Sequence, residues 1–297
     1  MKINKIVLIN PDHRLKSLPD LLGNDKYSEL ITTNTVIIAD ESKIRIISQN
    51  KEIDCDNSYF MIRSYDVDGV FDVNFISILY RYFYETKKKM DSPIYRYSNI
   101  SSSKLTQVIL FNVHGIPHPK TVICRESSYK TNTKTIAKEF PFPFVLKKDG
   151  ANGYFVWKIE NEDELTKKFK EYPNELFIIQ KILTSNYDIR VLVFEGELIG
   201  AMKRESDSFL HNISQGAIGS KIEITEDEKN LSLKATHICE NGLSGVDIIR
   251  DSVTNKSYVL ELNRKPGFYG EKSFMDYTKI NVPQKIVDIL KKKYLSK

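Results

Sequence analysis

The chain has 297 residues, of which 41% are hydrophobic and 28% are charged, and its formal net charge is +5. This length and composition fit a soluble globular protein of two or three modules. No apolar run reaches the roughly 18 residues that would span a bilayer, which excludes a helical membrane protein. Acidic residues are interspersed among the basic ones, which argues against a nucleic-acid partner.

The cysteines and the N-terminus bear on the compartment. Cys55, Cys124 and Cys239 are far apart and odd in number, so they form neither a disulfide framework nor a metal-ligand spacing. The short apolar stretch within the first ten residues fits a β-strand better than a signal peptide. These features predict a cytoplasmic protein without a membrane partner.

The N-terminal segment reads as short strands followed by a helix. Strands are predicted where isoleucine, valine and tyrosine are enriched: Ile3 to Ile9, Thr35 to Ala39, Lys43 to Ser48 and Tyr59 to Arg63. From Val73 to Lys88, apolar and aromatic residues recur at helical spacing, and we expect that stripe to face the core.

The middle of the chain alternates helices and strands. A helix is predicted from Lys104 to Val113, where Gly115 ends it. Pro143 to Lys148 and Tyr154 to Ile159 predict a hairpin around the Gly150 to Gly153 connection. Asn161, with Glu164 at the capping-box position, predicts the next helix.

A strand is predicted from Leu176 to Leu183, and further elements follow it in order. The elements predicted after it are a hairpin around Glu195-Gly196-Glu197, a helix capped by Thr225 with Glu228, strands at Val246 to Ile249 and Tyr258 to Leu262, and a basic helix from Val282 to Tyr294. The fold class is α/β or α+β with several small sheets.

Polar side chains on the two late strands predict a metal site. In Glu261-Leu262-Asn263, strand alternation puts Glu261 and Asn263 on one face, and Asp247 on a neighbouring strand can point to the same place. Two carboxylates and an amide oxygen are hard ligands that suit magnesium. The alternative is a solvated polar strand face.

Lys147 lies in the apolar strand Phe144-Val145-Leu146-Lys147-Lys148. A buried lysine without a partner is costly, and a bound phosphate would remove that cost. The glycines that follow can expose backbone N–H groups as a phosphate-covering loop does. The alternative is an edge-strand lysine that only prevents aggregation.

The strand from Leu176 to Leu183, which contains Gln180, Lys181 and Ile182, can act as a hinge between lobes. Its backbone groups are placed to contact an adenine edge, with apolar neighbours on both sides of the ring. Asp188, in Asp188-Ile189-Arg190, can accept hydrogen bonds from ribose hydroxyls. Alternatively, Asp188 and Arg190 form a surface ion pair of little energetic value.

In combination, these segments resemble the ATP-grasp ligases, and most closely the RimK-like branch that adds glutamate to ribosomal protein S6. The resemblance runs from about residue 101 to the C-terminus. The motifs that carry it are Asp188-Ile189-Arg190-Val191, Ala201-Met202-Lys203-Arg204, Gly245-Val246-Asp247, and Glu261-Leu262-Asn263 with Pro266-Gly267.

The resemblance implies an ATP-grasp fold of two α+β lobes that grip ATP, preceded by a small N-terminal α/β domain. The implied divisions are 1–95, 96–185 and 186–297. It also implies a role for each matching residue. Lys104 and Lys147 would contact the ATP phosphates. Adenine would be contacted by Gln180, Lys181 and Ile182, ribose by Asp188, and another polar part of the nucleotide by Asn212. Magnesium would be bound by Asp247, Glu261 and Asn263, while Arg190 and Arg204 would stabilise the acyl phosphate and the tetrahedral intermediate that follows it.

Several positions depart from the closest branch. Leu210 stands where that branch has an arginine, and Ser214-Gln215 stands where it has a His-Arg pair. Lys181 replaces an acidic residue, and Arg264-Lys265 replaces two small residues. Because most of these positions lie near the acceptor side of the site, they put the identity of the acceptor substrate in doubt more than the type of reaction.

The function that this resemblance implies is an ATP-dependent carboxylate–amine ligase that uses Mg²⁺, with Mn²⁺ as a substitute. Its substrates would be an acid and an amine, such as an amino acid with a peptide or protein, and a homo-oligomer stays open. Two alternatives are a kinase of the same fold that phosphorylates a small-molecule hydroxyl, and a non-catalytic basic nucleotide-binding module.

Overall fold

The computed structural model describes residues 3–11, 15–32, 35–39, 44–48, 51–62, 66–67, 70–71, 76, 79, 82–83, 86–91, 104–148, 155–173, 175, 177–206, 213, 216–239 and 242–295. Four predicted features lie outside these residues: the Gly150–Gly153 connection, Leu210, Asn212 and the Ser214–Gln215 pair. Among the described helices, none is both long and apolar enough to cross a membrane.

The N-terminal part is built on a parallel sheet. Its elements are β1 (Lys5–Ile9), α1 (Leu18–Leu22), β2 (Tyr27–Leu30), β3 (Thr35–Ala39), β4 (Ile44–Ser48), β5 (Lys51–Glu52), β6 (Ser58–Ile62), β7 (Asp66–Val67), β8 (Val70–Phe71) and β9 (Lys89–Met90). The main sheet has the order β2-β1-β6-β9, while β3-β4-β5 and β7-β8 form small antiparallel sheets.

Strands β1 and β6 are covered on both faces, which explains their nearly continuous apolar sequences. Ile6 and Leu8 pack with the C-terminal part of the chain, while Val7 and Ile9 face a separate cluster. The helix predicted for Val73 to Lys88 lies largely outside the described residues. Its described apolar members, Ile76, Leu79 and Phe83, are buried in that second cluster, as predicted for core residues.

The central part is an antiparallel sheet with helices on one face. Its elements are α2 (Lys104–Val113), β10 (Thr121–Cys124), α3 (Glu126–Thr131), α4 (Thr133–Glu139), β11 (Phe144–Lys148), β12 (Val156–Ile159), α5 (Glu162–Glu171) and β13 (Phe177–Lys181). The strand order is β10-β13-β11-β12. Leu146 and Ile179 point into a core under the helices, so Lys147 and Gln180 point to the opposite face.

The C-terminal part holds the largest sheet. Its elements are β14 (Tyr187–Phe194), β15 (Glu197–Glu205), β16 (Ile218–Lys221), α6 (Glu226–Ile238), β17 (Leu243–Asp251), β18 (Lys256–Asn263), α7 (Phe274–Thr278) and α8 (Val282–Lys293). The strand order is β16-β15-β14-β17-β18, and every neighbouring pair is antiparallel. The mixture of helices and sheets confirms the α+β prediction.

Helix ends follow the predicted caps with one correction. Gly115 ends α2 with a positive φ of 61°, and Ile116 N–H bonds the Phe111 carbonyl at 2.8 Å. The box of Thr225 and Glu228 is present. At α5, Asn161 caps the Glu164 N–H, but the Glu164 carboxylate accepts from Glu160 N–H at 2.9 Å. The prediction of a reciprocal bond from the Asn161 N–H is therefore wrong, because the Glu164 side chain reaches the residue before the cap.

The five-stranded sheet has two differently covered faces. One face packs against α2 and α6 through residues such as Val191, Val246 and Val259. On the other face, Leu192, Phe194 and Leu243 pack with α7, α8 and the N-terminal sheet. That second face also carries the polar β14 residues singled out in the sequence, Asp188 and Arg190, which precede Leu192 at alternate positions along the strand.

Candidate active site

Strand register brings the predicted polar residues together on one face of the large sheet. Asp188 lies opposite Arg204 across β14 and β15. Arg190 lies opposite Asp247 across β14 and β17, and Asp247 lies opposite Glu261 across β17 and β18. Directly opposed residues on antiparallel strands have neighbouring side chains, so the row is continuous across four strands.

The row is a buried network of charges. Arg204 donates to both carboxylate oxygens of Asp188 at 2.6 Å, and its Nη2 lies 3.1 Å from Asp247 Oδ2. Arg190 donates from Nε to Asp247 Oδ1 and from Nη2 to Oδ2 at 2.8 Å. Each of these two arginines and two aspartates is at most 8% exposed. The alternative of a surface pair between Asp188 and Arg190 is therefore wrong.

The network favours the ionised form of Asp247. Burial works to raise the pKa of Asp247, but the Arg190 and Arg204 guanidinium groups outweigh it and hold the pKa below its ordinary value. Fork-shaped guanidinium contacts also fix the orientation of the carboxylate. The face therefore presents two guanidinium groups around an aspartate whose ionised form they favour.

Gly245 keeps space open for Arg190. A Cβ atom at this position would lie 2.9 Å from Arg190 Cδ and 2.9 Å from Pro266 Cβ. Any larger residue would push the arginine away from Asp247. This contact gives a physical reason for glycine in the Gly245-Val246-Asp247 motif.

Glu261 connects the sheet to α2. Lys104, the first residue of α2 that the structure describes, places its Nζ 3.5 Å from Glu261 Oε2. Asn263 points to the same face as Glu261, and its Oδ1 accepts from Lys265 N–H at 3.0 Å. A β-bulge between Asp247 and Ile248 shifts the register beside these residues, and bulges commonly re-aim side chains near active sites.

Lys147, on β11 of the central sheet, is electrostatically coupled to this row. Burial lowers the pKa of Lys147 below its ordinary value, and Lys104 adds to this effect, while Glu261 and Asp247 oppose it. Lys147 lies on the face of the central sheet opposite the helix-covered core, and the carboxylates of the large sheet act on its charge. A phosphate between Lys104 and Lys147 would neutralise both cations.

Gln180 occupies the same face of the central sheet, two residues from Ile178, the cross-strand partner of Lys147. Its Nε2 donates to Thr121 Oγ1 at 2.9 Å, and the Thr121 hydroxyl donates to the Pro119 carbonyl at 2.6 Å. Within the described part of the chain, the buried Gln180 Oε1 has no hydrogen-bond partner. Lys181 and Ile182 follow at the strand end, where Lys181 N–H bonds the Lys120 carbonyl at 3.0 Å.

The donor set fits a hard divalent cation in kind. Asp247 and Glu261 are opposed on adjacent strands, and Asn263 lies opposite Gly245 on the same face. Oxygen donors of this type suit Mg²⁺. Asp247 is also shared with two arginines, so a bound cation would share that carboxylate with them. The magnesium assignment of Asp247, Glu261 and Asn263 stays a prediction.

The other role assignments also stay predictions. The structure groups Lys104, Lys147, Asp188, Arg190 and Arg204 with the proposed metal ligands, while Asn212 lies outside the described residues. Both oxygens of Asp188 accept from Arg204, so a ribose would have to share this carboxylate. Sequence reasoning missed two residues: Thr121, which holds Gln180, and Gln107, whose side-chain amide is hydrogen-bonded to the peptide groups of Leu262. The sequence signal for Gln107 was a polar residue one helical turn after Lys104.

Comparison with known proteins supports this architecture. The family model described as a RimK-like ATP-grasp domain matches residues 101–290. The coenzyme gamma-F420-2:alpha-L-glutamate ligase of Methanocaldococcus jannaschii is 32% identical over 198 residues, which cover 64% of this chain and 66% of that protein. The alignment therefore spans about two thirds of the relative's length.

Solved structures show the same fold over nearly the whole chain. The ATP-grasp ligase PsnB complexed with minimal precursor has a TM-score of 0.74 and 18% identity, with 98% of each chain covered. The VanG D-Ala:D-Ser ligase from Enterococcus faecalis has a TM-score of 0.66 and 14% identity, covering 99% of this chain and 100% of that one. The fold is the ATP-grasp fold, and the chain belongs to the RimK-like ATP-grasp family.

Proposed function

We propose that this protein is an ATP-dependent carboxylate–amine ligase that works through an acyl phosphate. The observation that carries the proposal is the buried row Asp188–Arg204–Asp247–Arg190. Beside it Lys104 Nζ lies 3.5 Å from Glu261 Oε2, and the Glu261 and Asp247 carboxylates counteract the lowering of the Lys147 pKa by burial. Phosphoryl transfer requires positioned cations more than covalent chemistry from the protein.

The reaction has two balanced steps. A carboxylate oxygen of the acid attacks the γ-phosphorus, the bond to the β-phosphate oxygen breaks, and ADP leaves. The amine then attacks the acyl carbon, phosphate departs with one oxygen from the acid, and the amine loses a proton as the amide forms. Lys104 and Lys147 hold phosphate oxygens, and Arg190 and Arg204 stabilise the oxyanion.

Magnesium would be held by Asp247, Glu261 and Asn263 and would neutralise phosphate charge. A structure of PsnB contains Mg and ADP together with its precursor, which supports this cofactor for the shared fold. The remaining residues bind and orient the substrates. Because the Arg190 and Arg204 guanidinium groups are buried and held by carboxylates, they are pre-organised and need little rearrangement.

We propose that the substrates are an amino acid and a peptide or second amino acid. The support is sequence similarity to relatives whose names specify glutamate ligation and structural similarity to PsnB, one of whose structures contains a precursor peptide. A carboxylate acid would meet the arginine side of the row, which is suited to bind and polarise it.

The test uses acids labelled with heavy oxygen on the carboxylate. With a panel of amino acids and short peptides, one labelled oxygen should appear in released phosphate, and hydroxylamine should trap the acyl phosphate as a hydroxamate. Folded Glu261→Ala protein should release no ADP. A stable phosphorylated product, with no label in free phosphate, would instead establish the kinase alternative.

A further inference from the structure

Strand β18 lies at the edge of the five-stranded sheet, so one side of its backbone is open to other partners. At Leu262 that side is bound by a side chain. Gln107 Nε2 donates to the Leu262 carbonyl at 2.8 Å, and Leu262 N–H donates to Gln107 Oε1 at 2.8 Å. The amide of Gln107 thus makes the two hydrogen bonds that a neighbouring strand would make.

The position of this contact is specific. Leu262 stands between Glu261 and Asn263, the two β18 residues that point to the site face. The nearby bulge disrupts the ladder with β17 between Asp247 and Ile248. Fixing the peptide groups of Leu262 from the open side therefore fixes the direction of the side chains before and after it.

The same helix also carries a phosphate-side group. Lys104 lies one helical turn before Gln107 on α2 and contacts Glu261 at 3.5 Å. Gln107 is 3% exposed, so its amide makes these bonds away from water. Loss of either bond would leave a buried polar group without that partner.

We propose that Gln107 is a positioning residue that sets the distance between Lys104 and the β18 ligands Glu261 and Asn263. This inference rests on the proposed function, which assigns phosphate to Lys104 and magnesium to β18. Through Gln107, the helix that binds phosphate and the strand that binds the metal move as one unit. Outer contacts of this kind commonly change metal affinity 10- to 100-fold when removed.

Two substitutions distinguish the effect of the Gln107 hydrogen bonds from the effect of its side-chain volume. Gln107→Met fills the same space and removes both bonds. Gln107→Glu keeps an acceptor for Leu262 N–H but turns a carboxylate oxygen toward the Leu262 carbonyl, which repels it. The matched control is Gln284→Met on α8, where the side-chain amide of a partly buried glutamine donates to Asp288 Oδ1 at 2.8 Å.

The first measurement is calorimetric affinity for ADP in Mg²⁺ and in EDTA, which needs no acid or amine. We expect the Mg²⁺-dependent gain in affinity to fall about tenfold in both Gln107 variants and to stay at the wild-type value in Gln284→Met. A purely structural role would lower the melting temperature without changing that gain. Folded Gln107 variants with the full gain would overturn the proposal.

The second measurement is hydrogen exchange at the Leu262 amide, which should become faster in Gln107→Met while the β14 amides keep their protection. An unchanged rate would show that Gln107 does not hold the Leu262 peptide in place and would also overturn the proposal. If the wild type gains affinity from Mg²⁺ but transfers no labelled oxygen, the ligase function fails while the role of Gln107 is still measured. If the ADP affinity of the wild type does not depend on Mg²⁺, both the proposed ligase function and the role of Gln107 would be overturned.

Discussion

The amide of Gln180 has an orientation that one hydroxyl group determines. Because Thr121 uses its only hydroxyl hydrogen on the Pro119 carbonyl, it offers Gln180 a lone pair and accepts from Nε2. Gln180 Oε1 is then turned away from Thr121 and, among the described residues, has no partner. An acceptor in this position suits the 6-amino group of adenine.

At the residue scale, we predict that Thr121→Val reduces the preference for adenine over guanine nucleotides. Without the hydroxyl, the Gln180 amide can rotate and offer Nε2 to the 6-oxo group of guanine. One hydrogen bond contributes about 1 kcal/mol, so the ratio of ADP to GDP affinity should fall roughly fivefold. Calorimetry with both nucleotides measures this ratio.

Thr121→Ser is the matched control because it keeps the hydroxyl and should keep the wild-type ratio. If Thr121→Val retains the full preference for ADP, the orientation of Gln180 does not depend on Thr121 and the predicted contact of Gln180 with adenine loses its support.

At the element scale, α6 is joined to the large sheet by a buried carboxylate. Glu228 closes the capping box with Thr225 and accepts from Arg250 Nε at 3.0 Å and Nη2 at 2.8 Å, and from the Ser257 hydroxyl at 2.9 Å. Its side chain is fully buried. One residue therefore fixes the helix start and two strands.

We predict that Glu228→Ala destabilises the protein strongly, because Arg250 loses its carboxylate partner and the cap loses one bond. Because Arg250 is 29% exposed and keeps some access to water, we expect a loss of roughly 1.5–3 kcal/mol, the contribution of hydrogen bonds to charged groups. Glu226→Ala, on the first turn of the same helix and 79% exposed, is the matched control and should cost less than about 1 kcal/mol. Urea unfolding measures both; equal losses would contradict the assignment.

At the scale of the whole molecule, a contact at Glu195 joins distant parts of the chain. Glu195 and Gly196 both have positive φ, as a two-residue hairpin turn requires, and this turn points Glu195 toward the N-terminal sheet. Its carboxylate accepts from the hydroxyls of Tyr59 on β6 and Tyr294 after α8. The large sheet, the N-terminal sheet and the C-terminal helix meet there.

This contact predicts a loss of stability at alkaline pH. Burial raises the pKa of Tyr59 and Tyr294, and Glu195 adds to both shifts; burial also raises the pKa of Tyr129 to about 12. In the unfolded chain a tyrosine ionises near 10, so the unfolded state releases protons that the folded state retains. The stabilisation is complete below about pH 10 and is lost as pH rises above it.

Denaturant unfolding between pH 8 and 11 tests this prediction. Each retained proton contributes a slope of up to about 1.4 kcal/mol per pH unit. Tyr59→Phe should be less stable at pH 8, because Glu195 loses a donor, yet its stability should fall less steeply above pH 10. A slope equal to that of the wild type would show that Tyr59 does not titrate with unfolding.

Local patterns determined most of the elements. Alternating strands, the Gly115 helix end, the Thr225 cap and the Glu195-Gly196 turn are short-range features, and the structure confirms each of them. The prediction of a reciprocal capping bond at Asn161 was wrong. Sequence spacing does not specify which backbone N–H the Glu164 side chain reaches.

The sequence by itself determined which residues are polar on β14, β15, β17 and β18, and the family resemblance supplied their roles as predictions. Only the tertiary structure decided the pairing. Arg190 binds Asp247 rather than Asp188 because strand order places β14 between β15 and β17. Likewise, Gln107 meets Leu262, 155 residues away, because helix packing places α2 along the edge of β18. Such contacts depend on register and packing across the fold, which local periodicity does not encode.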